Sequence, residues 1–240
     1  MVGLAIDWSA QRVLVVAPHP DDEVIGCGGL IRRIKAAGGE VHVEFMTVGD
    51  TADFSDAGMS TAAERFVEIE QVAAFLGIDG YHVAFPGDAY HLKLDAVPRL
   101  RLVAAIERES PLSITVLRPS VVLLPHQSSY NQDHHATARA AITALRPGVG
   151  SVKHQPAVVL AYEQLADQWT AEPLPLPTVF VELEESHLDD KLKALSLYTS
   201  QTRDHPNPRS EYALRSLAAV RGAQSGTPLA EAFHCLRWRF

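Results

Sequence analysis

Arg12-Val-Leu-Val-Val-Ala17, then Pro18-His-Pro-Asp-Asp-Glu23, then Val41-His-Val-Glu-Phe-Met-Thr47 after a helical run, is the stretch that decides the fold. The first segment is a short apolar run ended by proline, the pattern of a fully buried strand. Residues 23–37 read as a helix: Leu30, Ile31 and Ile34 are apolar, and Gly38-Gly39 is the stop signal. In residues 41–47, His42 and Glu44 alternate with Val41, Val43 and Phe45, which predicts a strand with one polar face. Together these form a strand–helix–strand unit.

Working outward, the same alternation repeats. Helices are expected over residues 61–76, 97–108 and 133–145, and strands over 81–85, 120–124, 157–162 and 178–183. From about Ser186 the chain reads as mainly helical, with a Pro-containing loop at Asp204-His-Pro-Asn-Pro208. This order predicts an α/β chain: a Rossmann-like three-layer fold with a mostly parallel sheet and a mainly helical C-terminal segment. Parallel crossovers should be right-handed.

The composition is consistent with one domain over residues 1–240. Hydrophobic residues make up 47% of the chain, which is enough for a sizeable core and excludes a disordered tail. The net charge of −8 argues against a nucleic-acid binder that uses a broad basic face. The two cysteines, Cys27 and Cys235, are too few for a disulfide framework or a cysteine zinc site. No secretory signal and no bilayer-length apolar stretch is legible, so a soluble, cytoplasmic protein is expected. The oligomeric state is not readable, and a homo-oligomer stays open.

In an open α/β sheet, sites form outside the carboxyl ends of the strands. Those ends carry Pro18 to Glu23, Thr47 to Asp50, Pro86-Gly-Asp88, and Pro125-His126 followed by Asn131-Gln-Asp-His-His135. His19 and Asp22, three apart in a turn entering a helix, can point at one ion, and His134 is the best candidate for a third ligand. Two imidazoles and one carboxylate leave coordination positions open, as catalytic sites do. Asp21 then sits beside a water on that ion and can take its proton. His126 is a candidate oxyanion donor or acid for a leaving amine. This describes metal-assisted hydrolysis.

Structural readings compete at each position. Acidic residues at a helix start commonly cap it, but neither capping nor packing requires His19 between two prolines. Asp133 could be an N-cap, and His134 and His135 surface residues. The glycines around Cys27 lack both nucleotide-loop spacings, so close helix–strand packing explains them better. Cys27 reads as a small buried hydrophobe. His42, His82, His91, His154, His187, His205 and His234 show no partner pattern and read as structural or surface residues.

Ala17-Pro-His-Pro-Asp-Asp-Glu23 resembles the (A/P)HPDDE signature of the PIG-L/LmbE-like zinc N-deacetylases, and Asn131-Gln-Asp-His134 resembles that family's (H/N)-x-D-H segment. Segments at 38–50, 65–68, 76–77, 198–201, 221–222 and 230–233 extend the likeness over nearly the whole chain. The resemblance implies removal of the N-acetyl group from an N-acetylglucosamine-type sugar or conjugate, giving acetate and a free amine. It implies His19, Asp22 and His134 as ligands of zinc and Asp21 as general base. It also suggests Arg65 and Asp88 as sugar contacts. Many members carry a His at the position of Asn131, and His126 is assigned that role here. Iron, cobalt or manganese would also suit the ligand set. The substrate is expected to be a small N-acetylated sugar conjugate. Specificity is expected from the 50–60 loop, the Pro-rich connector at 172–177 and the 203–209 loop.

Two rivals remain at this level. One is a non-haem iron oxygenase using His19, Asp21 and His134, although such enzymes are all-β barrels. The other is a non-catalytic sugar-binding module on the same fold.

Overall fold

The computed structural model describes residues 6–52, 58–149, 152–171 and 175–239. The chain runs β1 (Arg12–Ala17), α1 (Asp22–Ala37), β2 (Glu40–Val48), β3 (Thr51–Ala52), β4 (Met59–Ser60), α2 (Ala62–Leu76) and β5 (Gly80–Pro86). It continues through α3 (Arg99–Ala104), α4 (Ile114–Leu117), β6 (Val121–Pro125), α5 (Gln132–Ala144) and β7 (Val158–Tyr162). The last elements are β8 (Val179–Glu182), α6 (Glu185–Leu197), α7 (Glu211–Ser225) and β9 (Ala230–Trp238).

The main sheet has seven strands in the order β5-β2-β1-β6-β7-β9-β8. Pairing is parallel from β5 through β7, while β9 runs antiparallel to both neighbours. Alternate side chains of β1 serve two cores: Val13, Val15 and Ala17 lie in one, Leu14 and Val16 in the other. A strand covered on both faces shows no polar alternation, which is why residues 13–17 are continuously apolar. The first core includes side chains of α1, α2, α6 and α7, and the second those of α3 and α5. This gives the expected three layers.

The polar face of β2 is also present. Glu44 is buried there, with its carboxylate bonded to His82 Nδ1 at 2.8 Å and to Ser110 Oγ.

Besides the short α4 and the β3–β4 pair, which the sequence reading did not contain, two elements differ from it. The helix expected over 97–108 begins as α3 and continues as a π-helical turn, Ala105–Glu109. The C-terminal segment holds the helices α6 and α7, as expected, but closes in the nine-residue strand β9, which inserts between β7 and β8. Its four leading residues are all buried and its outer part is largely exposed, so no strict period-2 pattern marks it.

The glycines of α1 follow the packing explanation. A Cβ on Gly26 would stand 2.3 Å from the Tyr162 ring, and one on Gly29 would stand 2.5 Å from Leu183. Cys27 is fully buried, and burial pushes its thiol well above the usual range, as suits a packing residue. Among the described residues, no helix is long and apolar enough to cross a membrane.

Candidate active site

The sheet order reverses between β1 and β6, because the chain builds outward to β5 and then returns to β6 on the other side of β1. That switch point is where open α/β sheets place ligands. His19 leaves β1 there, and His134 sits in the first turn of α5, which follows β6.

The turn into α1 is held by His19 and Asp22 themselves. The His19 N–H donates to Asp22 Oδ2 at 2.8 Å, and the Asp22 N–H donates to the His19 carbonyl at 3.3 Å. Asp22 Oδ2 then lies 3.5 Å from His19 Nδ1 and 3.3 Å from His134 Nε2. One donor atom from each of His19, Asp22 and His134 falls within 4.8 Å of the others, and all three residues are buried.

The far ring nitrogens have carboxylate partners. His19 Nε2 is 3.0 Å from Asp133 Oδ2, and His134 Nδ1 is 3.2 Å from Asp167 Oδ2. An ionised carboxylate only accepts, so these nitrogens carry the protons, and neutral rings turn bare nitrogens toward Asp22. The carboxylates are themselves fixed. Asp133 Oδ1 accepts from the Leu94 N–H at 2.9 Å, and Asp167 Oδ1 accepts from Ser129 Oγ at 2.6 Å. Asp22 Oδ1 accepts from Gln164 Nε2 at 2.8 Å.

The electrostatics favour positive charge among these groups. Burial opposes protonation of both imidazoles. Asp133 and Asp22 nevertheless hold His19 above its ordinary value, and Asp22 and Asp167 hold His134 well above. Burial raises Asp22, but the two imidazoles outweigh it and hold the carboxyl well below the usual range. A divalent cation supplies such charge, and the donor set of two imidazole nitrogens and one carboxylate fits one.

Asp21 is built differently from a helix cap. It occupies the N-cap position of α1 at φ 113°, yet its side chain makes no capping bond. A non-glycine residue in that region is strained and is kept there by its surroundings. Its carboxylate lies 3.4 Å from Arg209 NH1, and its N–H donates to Glu23 Oε2 at 3.1 Å. Burial and the neighbouring Asp22 raise the Asp21 pKa, while Arg209 and Arg65 oppose the rise. Glu23 is buried and pushed up to about 8, and it accepts from the Tyr198 hydroxyl at 2.6 Å.

The residues expected from sequence separate into two groups. His19, Asp21, Asp22, Arg65 and His134 line one cavity of about 100 Å³. Arg65 is 3% exposed and donates to the Pro20 carbonyl at 2.7 Å, while its Nε has no hydrogen-bond partner among the described residues. His126 is not on that wall. It lines an adjoining cavity of about 150 Å³, which shares Gln164 and Asp167 with the first. Asp88 is exposed, and its Oδ1 accepts from the Asp50 N–H at 2.7 Å, so it supports the loop after β2 from behind. Asn131 lines the first cavity, but its Oδ1 caps α5. The alternative triad through Asp21 does not form: the converging carboxylate is that of Asp22.

Sequence reasoning missed His91, Gln164 and Asp167, and it placed Arg209 only within a loop expected to set specificity. His91, read as structural or surface, lines the cavity and stands edge-on to His19 with ring centroids 5.3 Å apart. Its Nε2 is 2.6 Å from Thr51 Oγ1, and burial together with His19 pushes its pKa down to about 4. Its place just beyond β5, at the same sheet edge, was the available signal. Gln164 and Asp167 follow β7, and Arg209 precedes α7. These are single polar residues with no spacing to mark them. Of the segments expected to set specificity, Thr51 and Arg209 reach the first cavity and Pro175 to Pro177 the second. Residues 53–57 and 172–174 lie outside the described residues.

Residues 14–145 match the family model described as PIG-L: GlcNAc-PI de-N-acetylase. The diacetylchitobiose deacetylase of Thermococcus kodakarensis is 26% identical over 231 residues, covering 92% of this chain and 81% of that protein. A conserved protein of Thermus thermophilus superposes with a TM-score of 0.70 at 27% identity, covering 94% of each chain. The N,N'-diacetylchitobiose deacetylase of Pyrococcus horikoshii gives a TM-score of 0.70 at 24% identity, covering 98% of this chain and 87% of that one, a likeness of fold.

Proposed function

Since the chain belongs to the PIG-L family of de-N-acetylases, we propose that it is a zinc-dependent hydrolase acting, as one domain over residues 1–240, on an N-acetylglucosamine-type sugar or sugar conjugate. Water cleaves the amide, and acetate and a free amine are released. The observation that carries the reading is the trio His19, Asp22 and His134, backed by Asp133 and Asp167, with the uncapped Asp21 on the same cavity.

Zinc bound by the trio would polarise the acetamide carbonyl and lower the pKa of a water to about 7. Asp21, held by Arg209, takes a proton from the attacking water and passes it to the departing amine. Asp133 and Asp167 keep the two imidazoles in the ligating tautomer. Arg65, buried on the cavity wall, contacts the sugar. Asp88 shapes the loop that carries Thr51. His126 accepts from the Ser128 N–H on Nδ1, so its proton sits on Nε2, and burial lowers its pKa. It therefore serves as a neutral donor to the amide oxygen from the side of the adjoining cavity.

Metal content and acetate release, measured together on a panel of N-acetylglucosamine conjugates, test the reading. Asp21→Asn should keep the metal and lose about 10²–10⁴ in turnover. His134→Ala should lose both metal and turnover. No uptake of zinc, iron, cobalt or manganese would sink the ligand assignment. Unchanged turnover in Asp21→Asn would sink the base.

A further inference from the structure

Helices α1 and α2 start in opposite ways. At α2 the capping box is complete: Thr61 Oγ1 accepts from the Glu64 N–H, and the Glu64 carboxylate accepts from the Thr61 N–H. At α1 only one half is made. Glu23 Oε2 accepts from the Asp21 N–H at 3.1 Å, but the Asp21 carboxylate makes no capping bond in return. An aspartate at an N-cap ordinarily sits in extended backbone and turns its carboxylate onto the helix N–H groups. Asp21 instead stands at φ 113°, and its side chain lines the cavity.

The angle φ turns the residue against the planar peptide that precedes it, so holding that plane holds the angle. Both poles of the Pro20–Asp21 peptide are bonded. Its carbonyl accepts from Arg65 NH2 at 2.7 Å, and its N–H donates to Glu23. On the far side, the Asp21 carbonyl is committed to α1, accepting from the Val24 and Ile25 N–H groups at 3.1 and 2.8 Å. Glu23 is fully buried and is held in turn by the Tyr198 hydroxyl, which donates to Oε1 at 2.6 Å. Tyr198 ends α6 and is fully buried, and the next two residues are pinned to α2. Glu68 Oε1 accepts from Thr199 Oγ1 at 2.9 Å and from the Ser200 N–H at 2.8 Å, and Oε2 accepts from Ser200 Oγ at 2.7 Å. Arg65 and Glu68 are three apart, so they share one face of α2. That helix therefore anchors both poles of the peptide, one directly and the other through Tyr198 and Glu23.

We propose that Glu23 and Tyr198 are positioning residues for Asp21: with Arg65 they clamp the Pro20–Asp21 peptide and keep Asp21 from relaxing into an ordinary helix cap. This rests on the reading of Asp21 as the base and assigns what holds that base toward the cavity. Without the clamp, the strained backbone relaxes and the carboxylate turns onto α1, away from the attacking water.

Amide exchange, followed by NMR on the metal-free full-length protein, tests the clamp directly. The Asp21 amide should exchange slowly in the wild type and about tenfold or more faster in Glu23→Ala, with the β1 amides unchanged. Tyr198→Phe keeps the ring in the core and removes only the hydroxyl, and it should act in the same direction. Glu23→Gln keeps an oxygen acceptor for the Asp21 N–H and should restore most of the protection. In the zinc-loaded enzyme acting on N-acetylglucosamine conjugates, Glu23→Ala should lower kcat about 10²-fold, with KM and zinc affinity unchanged, and Glu23→Gln should keep most of it. An unprotected Asp21 amide in the wild type overturns the clamp, as does wild-type exchange in both Glu23→Ala and Tyr198→Phe. So does a fall in zinc affinity that matches the fall in kcat, since Glu23 would then hold the whole turn and not Asp21. Exchange that changes as expected, with no acetate from any form including the wild type, supports the clamp and sinks the deacetylase reading. Wild-type kcat in Glu23→Ala sinks the clamp and leaves that reading standing.

Discussion

The five parallel strands and the C-terminal antiparallel pair contribute to one site in different ways. The parallel part, β5 through β7 with α1, α2 and α5, delivers the groups that would touch metal or substrate: His19, Asp21, Asp22, Arg65 and His134. The C-terminal part, after β7, mostly delivers groups that hold those groups. Asp167 holds His134, Gln164 holds Asp22, Tyr198 holds Glu23 and Arg209 holds Asp21.

Glu231 on β9 is the clearest case. Helix α1 breaks at Cys27, where φ is −151°, and the freed N–H groups of Gly29 and Leu30 donate to Glu231 at 2.9 and 2.7 Å. Lys191 of α6 completes the arrangement, bonding Glu231 at 2.7 Å and the Ile25 carbonyl at 2.8 Å. The front of α1, which carries Asp22, is thereby set apart from the back of the helix. The site's side chains can come from a local motif, but the helix that carries them is held by distant chain.

The comparison can be broken where the effect should be greatest. Glu231→Ala leaves a buried Lys191 and two helix N–H groups without their partner, and removing one member of a buried pair costs about 3–5 kcal/mol. Urea denaturation should show that loss, and a change below ~1 kcal/mol would mean that β9 does not support α1. A finer comparison pairs the two outer carboxylates. Asp133→Asn, on the parallel side, and Asp167→Asn, on the C-terminal side, should each weaken metal affinity about 10–100-fold. Competition with a chelator would measure both. If Asp167→Asn were silent, the C-terminal part would hold the fold but not the site.

The smallest expected effect separates stability from the site altogether. Burial raises Glu44, and its bond to Glu44 raises His82. A group whose folded pKa is raised stabilises fully below its unfolded value, 4.5 for Glu44 and 6.5 for His82, and that contribution is lost as pH rises through the folded value. Stability should therefore decline with rising pH in this window, and Glu44→Gln should flatten the decline without altering metal content. Denaturation midpoints from pH 4 to 8 would read this, and a slope identical in the variant would exclude the cluster.

Much of the candidate site was legible because its residues lie at strand ends that the fold brings together. His19, Asp21 and Asp22 share one turn, and His134 starts the helix after the adjacent strand, so strand-end reasoning places them together. His126 was legible as a strand-end histidine, but its sequence position could not say on which side of Asp167 it would fall. His91 was passed over because an isolated histidine carries no spacing. A cap was one reading open for Asp133, but Asn131 takes the cap and frees Asp133 for His19.

The sequence by itself determined the alternating strands and helices, the doubly covered strands β1 and β6, and the convergence of His19, Asp22 and His134. Each is written in local periodicity or in a motif whose spacing one turn can satisfy. Tertiary structure alone decided that β9 enters the sheet, that Glu231 caps a broken helix, that Asp167 and Gln164 divide two cavities, and that Arg209 meets Asp21. The bonds from Gly29 to Glu231, from Gln164 to Asp22 and from Arg209 to Asp21 join residues 202, 142 and 188 positions apart. Contacts of that kind arise only when distant segments are packed against the same buried surface, and no short-range pattern encodes them.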